Sequence, residues 1–377
     1  MACLYPVRQP TSSGGQPSKS TTTTTTASAA TEYTFQAIPS LDLELDMGPA
    51  FAGQTSCFDR PDSHSSPPGC LGLIPMPPLA VSAPLTAASW NFVSRLIATH
   101  LHHAMNIIRD APRLFVLENR VPWSHPLLYH DHMPRSMEEA MSSCALYLAK
   151  NSANGPIILR TVDARLRDLL AAPEPSTPLE CIAHVQALLL YNIIGIFDGD
   201  INARATVEKT QVQLQRAAKR LLAFITFDPP QAAVPDALYA ARAFWEAWVF
   251  MESARRTFLI SLYFMHLYYV IVGTPSRHCD ERKYLNRYWT ISASLWQATD
   301  PQEFRRAWQT NHFFLARVGS FSELLAEAHA EDIDDFSQIF LSSLMGIDEF
   351  RNWMDSRSQS VEVGAATVAP AQIMQTV

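Results

Sequence analysis

From Ala87 to about Met354 the apolar residues of this 377-residue chain recur at three- and four-residue steps, the spacing that lines one face of an α-helix. After Thr177, the residues Ile182, Val185, Leu189, Ile193 and Ile196 form one such stripe, and Leu188 and Ile194 widen it. The stripe is announced by Thr177-Pro178-Leu179-Glu180. There a hydroxyl is placed to accept a free backbone N–H, proline takes the first helical position, and a carboxylate follows three residues after the threonine. Asp300-Pro301-Gln302-Glu303 repeats the arrangement, and Ser136 with Glu139 and Ser320 with Glu323 repeat its acceptor-then-carboxylate spacing. A second long helix is expected from about Ala203 to Ile225, with Val207, Leu214, Leu221 and Ile225 inward. A third is expected from Pro235-Asp236 through Trp245 and Trp248. Strand signals are few, the short Gly155-Pro-Ile-Ile-Leu159 being one. The fold class is all-α: a multi-helix globular domain over residues 87–356, followed by a flexible tail at 357–377.

Residues 1–86 have a different composition, with six consecutive threonines at Thr21 to Thr26 and Gly/Ser/Pro-rich stretches, SHSSPPG among them. Too little apolar surface is available there to offset chain entropy, so a disordered arm is expected. Inside it Leu41, Asp42, Leu43, Glu44, Leu45, Asp46 and Met47 alternate large apolar and acidic side chains. That is the pattern of a segment whose charges keep its hydrophobes solvated until a partner offers a groove; a solvated stretch or a short edge strand is the plainer reading.

The formal net charge of −7 argues against a general basic surface for nucleic acid. None of the six cysteines shares the C-x2-C spacing of a locally built zinc site. His100, His102, His103, His125, His130 and His132 crowd one region, but no HExxH accompanies them. Asp198-Gly-Asp200-Ile-Asn202 opens like a calcium loop, yet Ala203 and Lys209 stand where the turn glycine and the bidentate glutamate belong. Phe258 to Val272 carries no charge but is short of the roughly twenty residues that cross a bilayer. A helix buried on all sides is expected there. No nucleophile elbow, phosphate loop or dinucleotide fingerprint occurs, so the chain reads as a non-enzyme without catalytic, cofactor-binding or metal residues. The competing reading is a metal-dependent or membrane-associated α-helical enzyme, resting on the histidine group and the Phe258 to Val272 helix.

Two stretches carry a resemblance. Thr177 to Asp200 reads TPLECIAHVQALLLYNIIGIFDGD, and Phe244 to Thr257 reads FWEAWVFMESARRT. Together they resemble the fungal-specific transcription factor domain, the regulatory half of fungal zinc binuclear-cluster and C2H2 transcription factors. The family's W-x-x-W-x-x-x-E-S-x-R-R-T motif is matched by Trp245, Trp248, Glu252, Ser253, Arg255, Arg256 and Thr257, and Val121-Pro-Trp-Ser-His-Pro126 is similar to its proline/aromatic region. The similarity spans roughly residues 90 to 355. It implies a nuclear regulator of RNA polymerase II genes, of the type that serves secondary-metabolite clusters. Other transcription regulators or coactivators are its implied partners, with the helical domain mediating homodimerisation or regulation and no membrane involved. The family's N-terminal DNA-reading module has no counterpart: Cys3, Cys57 and Cys70 are scattered and cations are scarce. Direct DNA binding is therefore doubtful. Zinc is implied only for such a module, and either a partner or a lost upstream exon would supply it.

For the motif itself, two tryptophans three residues apart share a helix face and can anchor it. Glu252 stands three and four residues before Arg255 and Arg256, the favourable order on a helix. Sequence leaves open whether this trio is buried or solvated.

Overall fold

The computed structural model describes residues 94–198, 200–227, 234–272, 287–310, 313–317 and 321–365. A single π turn, Ile97–Leu101, runs into α1 (His102–Glu118), which contains Pro112 and ends at Asn119 with φ 49°. A short amide side chain tolerates that left-handed backbone. Next come α2 (Arg135–Leu148), α3 (Gly155–Ala171), α4 (Pro178–Phe197) and α5 (Ile201–Leu222). The expected cap of α4 is present: Glu180 N–H donates to the Thr177 hydroxyl at 3.2 Å, and Thr177 N–H donates to the Glu180 carboxylate at 3.0 Å. Unlike its neighbours, α4 is buried at every position from Cys181 to Ile196 except His184, because α1, α2, α3 and α5 all pack against it. By length and composition it could cross a membrane; here it is the centre of a helical core. Its closest approach is to α5, where a Cβ at Gly195 would lie 2.5 Å from Val207 Cγ2.

The long helix α6 (Leu238–Ile271) follows, about 50 Å from end to end at 1.5 Å per residue. After it come β1 (Tyr288–Ile291), α7 (Ala293–Trp296), α8 (Pro301–Thr310), β2 (Phe314–Arg317), α9 (Ser322–Glu327), a 3-10 turn (Ala330–Asp332), α10 (Asp335–Met345) and α11 (Ile347–Ala365). The two strands form an antiparallel ribbon with Tyr288 opposite Arg317 and Ile291 opposite Phe314. Two apolar clusters result. The larger takes in α1 to α5, the ribbon, α10 and the part of α6 from Phe250 onward. The smaller and more aromatic one joins the first half of α6 (Phe244, Trp245, Trp248) to Trp296 and Phe304.

The all-α class holds, with departures in detail. Gly155 to Leu159 is the first turn of α3 and not a strand, since Pro156 starts the helix and Ile158, Val162, Leu166 and Leu169 continue its buried face. Ser136 does not cap α2. That helix begins one residue earlier, behind Pro134, and Glu139 bonds Arg135 instead at 2.7 Å. Asp300 takes the N–H groups of Gln302 and Glu303, while Glu303 reaches back past it to Thr299. Ser320 lies outside the described residues, and α9 begins at Ser322. The expected third helix and the Phe258 to Val272 segment are one continuous helix, its second half enclosed by the core. The last helix runs through Ala365, past the boundary expected at 356. The arm at 1–86, with Leu41 to Met47, lies outside the described residues.

Candidate functional site

Residues 252–257 sit where α6 passes from the aromatic cluster into the larger one, and here an otherwise apolar helix carries charge. Glu252 and Arg256 are 0% exposed and Arg255 is 1% exposed, so the trio is buried. Glu252 accepts from Arg255 Nη1 at 3.3 Å, Arg256 Nε at 3.1 Å, and the Thr290 backbone N–H at 2.8 Å. Arg256 in turn donates to Asp334 at 2.6 Å and to the Thr290 carbonyl at 2.9 Å. Its guanidinium lies 3.8 Å from the centre of the Trp296 ring, with Phe336 at 5.1 Å. Arg255 donates to the Thr226 carbonyl at 2.9 Å and lies over Tyr288. Two carboxylates therefore face two guanidiniums, so the buried knot carries no net charge, the condition under which charges tolerate burial. Asp334 also serves a second element, since its other oxygen accepts the Ser337 N–H at 2.8 Å and caps α10.

The three sequence stretches that carry the resemblance meet at this point. His125 N–H donates to Ser253 Oγ at 3.3 Å, and the Thr257 hydroxyl donates to the Trp123 carbonyl at 3.3 Å. Gln186 of α4 donates to Thr257 Oγ1 at 2.8 Å and accepts from the Tyr129 hydroxyl at 2.7 Å. Trp245 and Trp248 are buried as expected, Trp248 packing 5.0 Å from Phe304. Thr290, Asp334 and Gln186 complete the knot, and no sequence spacing signals them. They lie far from residue 256 in the chain and are ordinary residues in their own segments.

Beside the knot is a cavity of about 510 Å³ whose walls include Pro122, His125, Trp296, Ala298, Asp334 and Phe336. His125 is 3% exposed and set edge-on to Trp245 and Trp296. Its Nδ1 accepts the Leu127 N–H at 3.2 Å, so the neutral ring carries its proton on Nε2. Burial, and then the Arg256 charge, lower its pKa to about 4, while the backbone carbonyls of Trp296 and Ala298 pull it the other way.

The other histidines are used separately. His100 bonds the Ser343 carbonyl at 3.1 Å, His103 meets Gln338 at 3.3 Å, and His130 pairs with Asp131 at 3.0 Å. Among the described residues no three His, Cys, Asp or Glu side chains converge as a metal would require. Asp198 and Asp200 are also occupied, the first paired with Lys150 and the second capping α5. Chemically the knot is closed: its acids and cations pair with one another and tie α6 to β1, to the cap of α10 and to the chain after α5.

No protein-family model matches the chain. It is similar to the protein named Transcription factor gsfR2 of Penicillium aethiopicum, with 28% identity over 259 residues, 67% of this chain and 61% of that protein. The matched region thus spans less than two thirds of the relative's own length. No solved structure matches.

Proposed function

We propose that the chain is a fungal transcriptional regulator acting in the nucleus on RNA polymerase II genes, and that it is not an enzyme. The similarity to gsfR2 over two thirds of the chain carries this reading. The site supports it, because the residues that bring charge into the core are consumed in holding the fold. In this proposal the helical domain is the regulated or dimerising body, and Leu41 to Met47 recruit a coactivator. DNA is reached through a partner or through a zinc-bearing module outside these 377 residues, and the regulated genes belong to a secondary-metabolite cluster. Fusing the full chain to an unrelated DNA-binding domain is expected to activate a reporter carrying the matching operator. Replacing Leu41, Leu43 and Leu45 with alanine should remove most of that activity. A nuclear, well-expressed fusion that leaves the reporter silent overturns the proposal.

A further inference from the structure

We infer that the groove between α3 and the first half of α5 is a docking site for the acidic-apolar segment at residues 41–47 of the same chain. The two helices run side by side in the same direction, with the Thr206 hydroxyl donating to Asp163 at 3.2 Å near their starts and Arg220 meeting Glu174 near their ends. Between them, over the last turns of α4, lies an open cavity of about 790 Å³. Its apolar lining is Pro156, Leu159 and Val162 from α3, Ile194 from α4, and Ala203 and Val207 from α5. Pro156 is exposed and Leu159 and Ala203 are half-buried, so part of this lining faces solvent. Exposed Leu170 extends the same face of α3.

The rims of the groove select the occupant. Arg160 lines it from α3, with its Nε on the carbonyl of Pro156 in its own helix. On α5 the lining residues Asn202 and Thr206 are continued at three- and four-residue steps by Lys209, Gln213 and Arg216. Arg160, Lys209 and Arg216 are exposed, and none has a carboxylate partner among the described residues. The acids of the groove are already engaged: Asp163 with Arg167 at 3.2 Å, Asp198 with Lys150, and Asp200 as the cap of α5. Glu208 falls on the next face, with Arg204 and Val212. An apolar lining between unanswered cations calls for an apolar, acidic chain.

The 41–47 segment has that composition at a matching length. Extended, it puts Leu41, Leu43, Leu45 and Met47 on one side and Asp42, Glu44 and Asp46 on the other. The apolar side meets the lining, and the acids stay within reach of the long cationic side chains on the rims. Its six steps cover about 20 Å, and Pro156 to Leu170 along α3 covers about 21 Å. Residues 48–93, a stretch of 46, join the segment to Ser94, where the described domain begins. They can span up to about 150 Å, against a radius of gyration of about 19 Å for a domain of this size. Any part of the domain surface is therefore within reach, and the tether favours this occupant over a separate chain. Once docked, the segment is closed to other partners.

The inference stands apart from the transcriptional reading, because docking is read on the purified full chain and needs no reporter. Leu43 is replaced by the photocrosslinker p-benzoylphenylalanine, the dilute chain is irradiated, and the adducts are mapped by mass spectrometry. Adducts are expected on the α3 and α5 residues that line the groove. A mixture of light and isotope-labelled chains should give them within single chains. Reversing the three rim cations together, Arg160→Glu, Lys209→Glu and Arg216→Glu, should lower the yield by roughly fivefold, the share of a few exposed ion pairs. These positions are exposed, so circular dichroism should stay at the wild-type level. Adding Asp42→Lys, Glu44→Lys and Asp46→Lys to that variant should restore the yield. Adducts that fall on other elements overturn the inference, as do adducts that form only between chains, which would give the groove to a second copy. A yield that ignores the reversal of the rim, or that the second reversal fails to restore, would overturn it equally.

Discussion

At the scale of single residues, the buried charges of α6 have sharply unequal consequences depending on how they are removed. Arg256→Ala leaves Glu252 and Asp334 both in the core with only Arg255 to answer them. We expect a loss of about 3–5 kcal/mol, the usual penalty for breaking a buried pair, read as a lower midpoint in urea unfolding. A midpoint within error of the wild type would mean that water reaches the knot. His125 predicts a pH effect of definite sign. Its folded pKa is lowered to about 4, while the unfolded chain titrates near 6.5. Between those values the unfolded state binds the extra proton, so stability is complete above pH 6.5 and falls as the pH drops towards 4. The stability of the wild type minus that of His125→Phe should therefore fall on acidification from pH 6.5, by on the order of 3 kcal/mol at pH 4. His184 and His266 are shifted the same way by burial and remain in both proteins, so they cancel from that difference. A difference curve that is flat from pH 4 to 6.5 would contradict the assignment.

Among the elements, the crossing of α4 with α5 is the place where one atom matters most. Gly195→Ala would drive a methyl to 2.5 Å from Val207 Cγ2 and 3.2 Å from the Ala203 carbonyl, and valine on a helix has almost no rotamer freedom with which to yield. A destabilisation of about 1–3 kcal/mol is expected, and pairing it with Val207→Ala should return part of it. Equal losses in the single and double variants would show that the backbone carbonyl, and not Val207, is the obstacle. The same two helices show what sequence can reveal. The capping box at Thr177 and the buried stripe from Ile182 to Ile196 are local facts, written within a few residues of where they act, and both are present. The ribbon of β1 and β2 is not local: Tyr288 to Ile291 is buried at all four positions, so no alternation marks it. Ser136 failed as a cap because the helix starts one residue before it, behind Pro134, which leaves Glu139 to pair with Arg135. In the site, the pairing of Glu252 with Arg255 and Arg256 was legible from spacing alone. Its burial, and its partners Thr290 and Asp334, depended on chain brought back from other elements.

For the whole molecule, the two apolar clusters share α6 and are not separable bodies. Trp245 and Trp248 anchor its first half in one cluster, while Phe258 to Val270 lie in the other. The described domain is accordingly expected to unfold in a single calorimetric transition, with tryptophan fluorescence and far-ultraviolet circular dichroism tracing the same curve. Fluorescence that changes ahead of circular dichroism would show the aromatic cluster opening by itself.

One consequence of the buried knot concerns where α6 sits along its own axis. Between Trp248 and Tyr268 this helix is enclosed on nearly every side by hydrocarbon, and hydrocarbon is a poor judge of position. A slide of one turn, about 5.4 Å, would exchange one large apolar side chain for another around much of the circumference. The same slide would carry Glu252 away from Thr290 and Arg256 away from Asp334, leaving the Asp334 carboxylate without its cation and the intrahelical trio with an excess positive charge in the dry interior. The knot thus acts as the detent of a sliding shaft: besides tying the helix to its neighbours, it favours one axial stop over the next.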